Sequence, residues 1–123
     1  IMQVSFEPPL LAVALESDSE MCHLVTATGL FSVNMLPTGA TSLARTILRS
    51  KTDKKRSLSP EDFEFPSQGP PVLRAASDVL TCRVVSRSPT GDHMLFVAEI
   101  VGGRSHSAAP VLTLHESGLS YSR

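Results

Sequence analysis

Over residues 78–103 the sequence alternates apolar and polar positions in two stretches, and this period of two predicts a long β-hairpin. On the outgoing strand Leu80, Cys82 and Val84 fall on one face, with Val79, Thr81, Arg83, Val85 and Arg87 on the other. The return strand sets Met94, Phe96, Ala98 and Ile100 against His93, Leu95, Val97 and Glu99. Both faces are partly apolar. That predicts a small barrel, one face filling the interior and the other covered by a helix or a second subunit, rather than an open sheet washed by water. Ser88-Pro89-Thr90-Gly91 supplies the turn, because proline presets φ and glycine accepts a positive one. His93 then stands at the end of a rigid hairpin, beside Asp92.

The remaining chain is placed around this hairpin. Residues 1–6 read as the end of a strand, stopped by Glu7-Pro8-Pro9, and residues 10–15 form a continuous apolar run short enough for a buried strand. Ser17-Asp18-Ser19 offers capping side chains for a helix over residues 20–27 that ends before Gly29, with Met21, Leu24 and Val25 as its buried stripe. Residues 30–36 alternate as a strand closed by Pro37-Thr38-Gly39. A second helix over residues 41–49 turns Leu43 and Ile47 inward, with Leu48 as a candidate third. Residues 50–71 are polar, charged and proline-bearing and read as a long surface excursion, in which Ser59-Pro60-Glu61-Asp62 resembles a helix start that Pro66 stops. Strands at residues 111–114 and 119–121 complete a count of about six strands with two or three helices.

At 123 residues the chain is long enough for one domain, residues 1–123. Eleven basic against twelve acidic residues argue against a general nucleic-acid binder, which needs a basic excess for phosphate. The basic cluster Lys51, Lys54, Lys55 and Arg56 is local, and reads as a solvated loop or as a reach for a cofactor phosphate. Cys22 and Cys82 are sixty residues apart without metal-ligand spacing, and two buried thiols in a reducing compartment are expected. His23, His106 and His115 share no spacing that suggests a metal. With no secretory segment and no long apolar run, the expectation is a cytoplasmic protein, organellar if a targeting segment has been removed, and not a membrane protein.

Several stretches carry a resemblance in chain order: Ser5-Phe6-Glu7-Pro8-Pro9 leading into an apolar strand, residues 29–36 (GLFSVNML), Gly69-Pro70-Pro71-Val72-Leu73, Cys82, Gly91-Asp92-His93 and a closing Tyr121. Together they resemble the flavin reductase-like family. The resemblance implies an all-β fold with minor helices: a six-stranded antiparallel split barrel. It also implies a homodimer, noncovalent FMN or FAD, and NADH or NADPH as electron donor. Because the chain opens within a strand at Ile1, the barrel is expected to lack its first strand or strands.

The resemblance further implies a set of site residues. Met2, Gln3, Val4 and Ser5 would run along the flavin, and an extended strand end does offer the donors, acceptors and apolar contact that such a ring needs. Ser17 and Ser19 would face its phosphate at a helix N-terminus. Asn34 matches the family's asparagine, Tyr121 its C-terminal tyrosine, and His93 the histidine close to flavin or nicotinamide. The family's first-turn hydroxyl falls here on Met21. The implied activity is hydride transfer from NAD(P)H to flavin, with a flavin-dependent monooxygenase or another acceptor taking the electrons. The alternative is a non-catalytic flavin-binding electron carrier, or a dimerisation module of a larger flavoprotein. No serine, histidine and acid pattern supports a hydrolase.

Overall fold

A computed structural model describes residues 1–49, 58–106 and 108–120. Its elements run β1 (Met2–Ser5), β2 (Leu10–Glu16), α1 (Glu20–Thr28), β3 (Leu30–Met35), α2 (Thr41–Arg49), β4 (Phe63–Glu64), β5 (Val72–Leu73), β6 (Asp78–Thr90), β7 (His93–Ser105) and α3 (Leu114–Ser117). Five strands form one sheet in the order β1-β2-β7-β6-β3, and β4 pairs with β5 in a second. The strands are thus split between two sheets, with short helices interspersed along the chain, which is the split-barrel class expected. Among the described residues there are seven strands, where about six were expected.

The hairpin is longer at its tip than the alternation predicted. Ser88, Pro89 and Thr90 belong to β6, and the loop is Gly91-Asp92 alone. Gly91 sits at φ +60° and Asp92 has a negative φ. That suits the two-residue hairpin turn whose first position alone needs positive φ. Proline is tolerated in β6 because Val84 N–H already bonds to Gly29 O, just before β3 begins, so beyond it β6 is an outer strand.

The C-terminal expectations are corrected. Val111 makes a bridge to Pro37, and among the described residues no strand follows. Thr113 instead caps α3 by accepting from Glu116 N–H (3.2 Å), and Gly118 at φ +64° ends that single turn. Residues 119 and 120 carry no regular structure, and Tyr121 lies outside the described residues.

By backbone proximity the chain divides into two compact units. The first comprises Ile1–Val33, Ser67–Pro70 and Leu80–Gly103. Its core has one cluster of Leu11, Cys82 and Ala98 and another of Cys22, Val25 and Phe96. Phe96 and Cys82 are completely buried. The α1 stripe is Cys22 and Val25, whereas the expected Met21 and Leu24 are 55% and 53% exposed. Both pairs have helical spacing, so periodicity alone offers two stripes; packing against Phe96 selects one. Both thiols are free and lie in different clusters. Burial pushes the Cys82 thiol up from its ordinary pKa.

The second unit comprises Asn34–Pro66, Pro71–Val79 and Arg104–Arg123. Val72, Leu73, Ala76 and Val79 form its core, with Leu43 and Ile47 of α2 against them and Leu48 turned out at 57% exposure. Part of the expected surface excursion is structured: Ser59 N–H donates to Asp62 Oδ2 (2.7 Å), and this closes a single 3₁₀ turn, Pro60–Asp62, ahead of β4. Among the described residues no helix is long and apolar enough to cross a membrane.

Candidate functional site

Strand register decides which side chains share a face, because directly paired residues of antiparallel strands project to the same side. Glu16 pairs with His93, Ala14 with Leu95, Ala12 with Val97 and Leu10 with Glu99. On the outer edge Met2 pairs with Ala12 and Gln3 with Leu11. A register shift between Gln3 and Ser5 then sets Ser5 opposite Leu10. This irregularity at Val4 returns Ser5 to the face that carries Met2, and leaves Gln3 on the face of the Leu11 core. One face of β1, β2 and β7 therefore holds Met2, Ser5, Ala12, Ala14, Glu16 and His93. The opposite face is covered by α1, whose Cys22 and Val25 pack on Phe96 of β7.

The two alanines keep the β2 row of this face low, beside Leu95 and Val97 of β7. From Ala12 to Glu16 the row is about 13 Å long at ~3.3 Å per residue. Alternation of small residues within LLAVALE was legible in the sequence, but nothing local tied it to Met2 or His93.

At the end of that row the hairpin tip meets the start of α1. Ser17 N–H donates to Asp92 O (2.9 Å). Ser19 is the N-cap: its Oγ accepts from Cys22 N–H (3.1 Å) and donates to Glu16 O (2.7 Å). Helix geometry leaves the N–H groups of the first turn without intrahelical acceptors, which makes this end attractive to an anion. His93 Nδ1 lies 2.6 Å from Asp92 Oδ1. A carboxylate only accepts, so Nδ1 is the donor of this pair.

Other expected residues lie elsewhere. Asn34 is in the second unit, where its Oδ1 accepts from Leu73 N–H (2.9 Å) and so supports the backbone at β5. Tyr121 and the cluster Lys51, Lys54, Lys55 and Arg56 fall outside the described residues. Two features were not anticipated. A groove of about 370 Å³ lies beside the C-terminal half of α1, lined by Val25, Thr26, Gly29, Phe96 and residues 84–87, and none of the expected site residues lines it. In the second unit Glu64 accepts from Arg104 Nη1 (2.8 Å), with Arg74 Nη1 at 3.7 Å. The hydrogen bond from Arg104 is the main cause of a lowered Glu64 pKa; burial opposes it, and the charges of Arg104, Arg74 and His106 reinforce it.

The sequence profile of the family described as "Flavin reductase like domain" matches residues 1–121. The chain belongs to this flavin reductase-like family. It is similar to the actinorhodin polyketide dimerase of Streptomyces coelicolor, 32% identical over 99 residues, covering 80% of this chain and 54% of that protein. It is also similar to the FMN reductase (NADH) RutF of Ancylobacter novellus, 28% identical over 102 residues, covering 83% and 56%. The solved structure "Flavin reductase PheA2 in native state" superposes with a TM-score of 0.74 at 24% identity, covering 89% of this chain and 68% of that one. That likeness establishes the flavin reductase-like fold. The chain spans 54% and 56% of the length of the two curated relatives.

Proposed function

We propose that this flavin reductase-like chain binds FMN or FAD along the alanine row and transfers hydride to it from NADH or NADPH. The observation that carries the reading is the common face of Met2, Ser5, Ala12, Ala14 and His93, three of which were expected near the flavin or nicotinamide from sequence and two of which keep the β2 row low. The residues present fit such a group. Among the described strands β1 stands at the end of its sheet, and its extended backbone from Met2 to Ser5 would supply donors and acceptors for a ring's polar rim. Ser17, Ser19 and the first turn of α1 suit a phosphate. Asp92 accepts from Nδ1 of His93 and so steadies the ring, leaving Nε2 for an incoming nicotinamide. A bound flavin supplies the two-electron chemistry, so no protein nucleophile is needed.

The same part-open face, with Met2 exposed and Leu95 and Val97 half-buried, supports a homodimer in which a second copy covers what one chain leaves open. An electron acceptor, such as a flavin-dependent monooxygenase, completes the proposal. The test is a titration of FMN and FAD into the chain followed by anaerobic NADH and NADPH. Saturable binding followed by bleaching of the flavin band is expected. Binding without bleaching would favour the electron carrier or dimerisation module, and absence of binding would overturn the reading. Sedimentation at micromolar concentration checks the dimer, and a monomer there would refute it.

A further inference from the structure

We infer that Arg104, with Arg74, forms an oxyanion site for a phosphate monoester in the second unit. Arg104 Nη1 is held by Glu64 Oε2 at 2.8 Å, but Nε and Nη2 of the same guanidinium are buried and have no hydrogen-bond acceptor among the described residues. Those two N–H groups lie parallel on one edge of the fork, the edge that receives two oxygens of a phosphate or carboxylate at once. Buried donors without partners are rare because each forfeits its hydration with nothing in return.

Charge points the same way. Glu64 is the carboxylate between two arginines: its Oε1 faces Arg74 Nη1 at 3.7 Å, while Arg74 Nε is engaged by Glu61 O at 3.0 Å. One negative charge thus serves two positive ones, with His106 acting on the same carboxylate. A phosphate monoester has the acceptors to fill the Arg104 edge and further oxygens for the Arg74 head. The side chains of Arg104, Arg74 and Glu64 are 33%, 57% and 38% exposed, so the cluster reaches solvent, and the anion engages Nε and Nη2 once the side chains over that edge turn aside.

The inference is independent of the flavin reading, and inorganic phosphate is the first probe. In a ³¹P NMR titration of the whole chain, phosphate is expected to broaden on binding. Arg104→Gln and Arg104→Lys should each weaken it at least tenfold, since lysine keeps the charge but not the paired edge. Glu64→Gln should tighten binding by removing the competing carboxylate, a result that a merely structural ion pair does not produce. If Arg104→Gln fails to fold, Arg104→Lys carries the comparison, with circular dichroism as the control. No broadening in the wild type, or equal affinity in the wild type and Arg104→Lys, overturns the proposal. Displacement by adenosine 2′-phosphate or by FMN then identifies the phosphate as that of a nucleotide or of a flavin, and displacement by neither identifies free phosphate as the ligand.

Discussion

Replacing Ser19 by alanine removes the oxygen that accepts from Cys22 N–H at 3.1 Å and strands a donor at the start of α1. Glu16 O loses the hydroxyl's bond but keeps the one from Ser19 N–H (3.0 Å), so the cost is that of the cap alone. Loss of such a cap costs about 1 kcal/mol, which in a domain of this size lowers Tm by about 4 °C. Ser19→Asp restores a cap and adds a negative charge where the helix dipole favours one, so its stability should equal or exceed the wild type. The two properties then separate. A carboxylate about 5 Å from a bound phosphate, at an effective dielectric of about 20, opposes it by about 3 kcal/mol per unit charge, a loss of roughly two orders of magnitude in affinity. Urea unfolding followed by circular dichroism gives the first quantity and quenching of FMN fluorescence the second. A stable Ser19→Asp variant that binds FMN as tightly as the wild type would refute phosphate placement at α1. An Ala variant of unchanged stability would refute the capping energy.

His93→Ala should slow hydride transfer while leaving the unfolding midpoint nearly unchanged, because His93 is at the hairpin end and outside both core clusters; unaltered kinetics and flavin affinity would return it to a structural role. Phe96→Ala deletes the largest fully buried side chain and should cost about 3–5 kcal/mol, read from denaturant unfolding; a loss below 1 kcal/mol (roughly the bound for a site that collapses completely) would contradict its burial. Gly91→Ala meets no atom within 4 Å, so its cost comes from the φ of +60° alone, about 1 kcal/mol, and an unchanged midpoint would refute the turn geometry. Glu64 has a folded pKa below its ordinary value of 4.5. Its contribution is therefore present above that value and is lost as pH falls through the lowered one. Glu64→Gln should flatten the acid limb of the stability profile, and an unchanged limb would show that the pair contributes nothing.

Local signals in the sequence sufficed for most elements. The period-two hairpin, the Ser19 cap, the Gly29 stop and both longer helices follow from interactions among residues a few positions apart, and they are found within a residue or two of where the pattern puts them. The signals failed where two answers were locally equal or where the deciding contact was distant. Met21 with Leu24 and Cys22 with Val25 have the same spacing, and tertiary packing distinguishes them, above all against Phe96, more than seventy residues on. Val111 has strand propensity, but Thr113 offers the following backbone a cap, and helix formation won. The chemistry depends still more on distance. Hairpin patterning sets His93 beside Asp92, yet only register and the bulge at Val4 bring Met2 and Ser5 onto its face. Glu64 and Arg104 are forty residues apart and carry no motif. Alternation fixes which residues of one strand agree with each other; which strands agree is set by pairing and burial, and those exist only once the chain has folded.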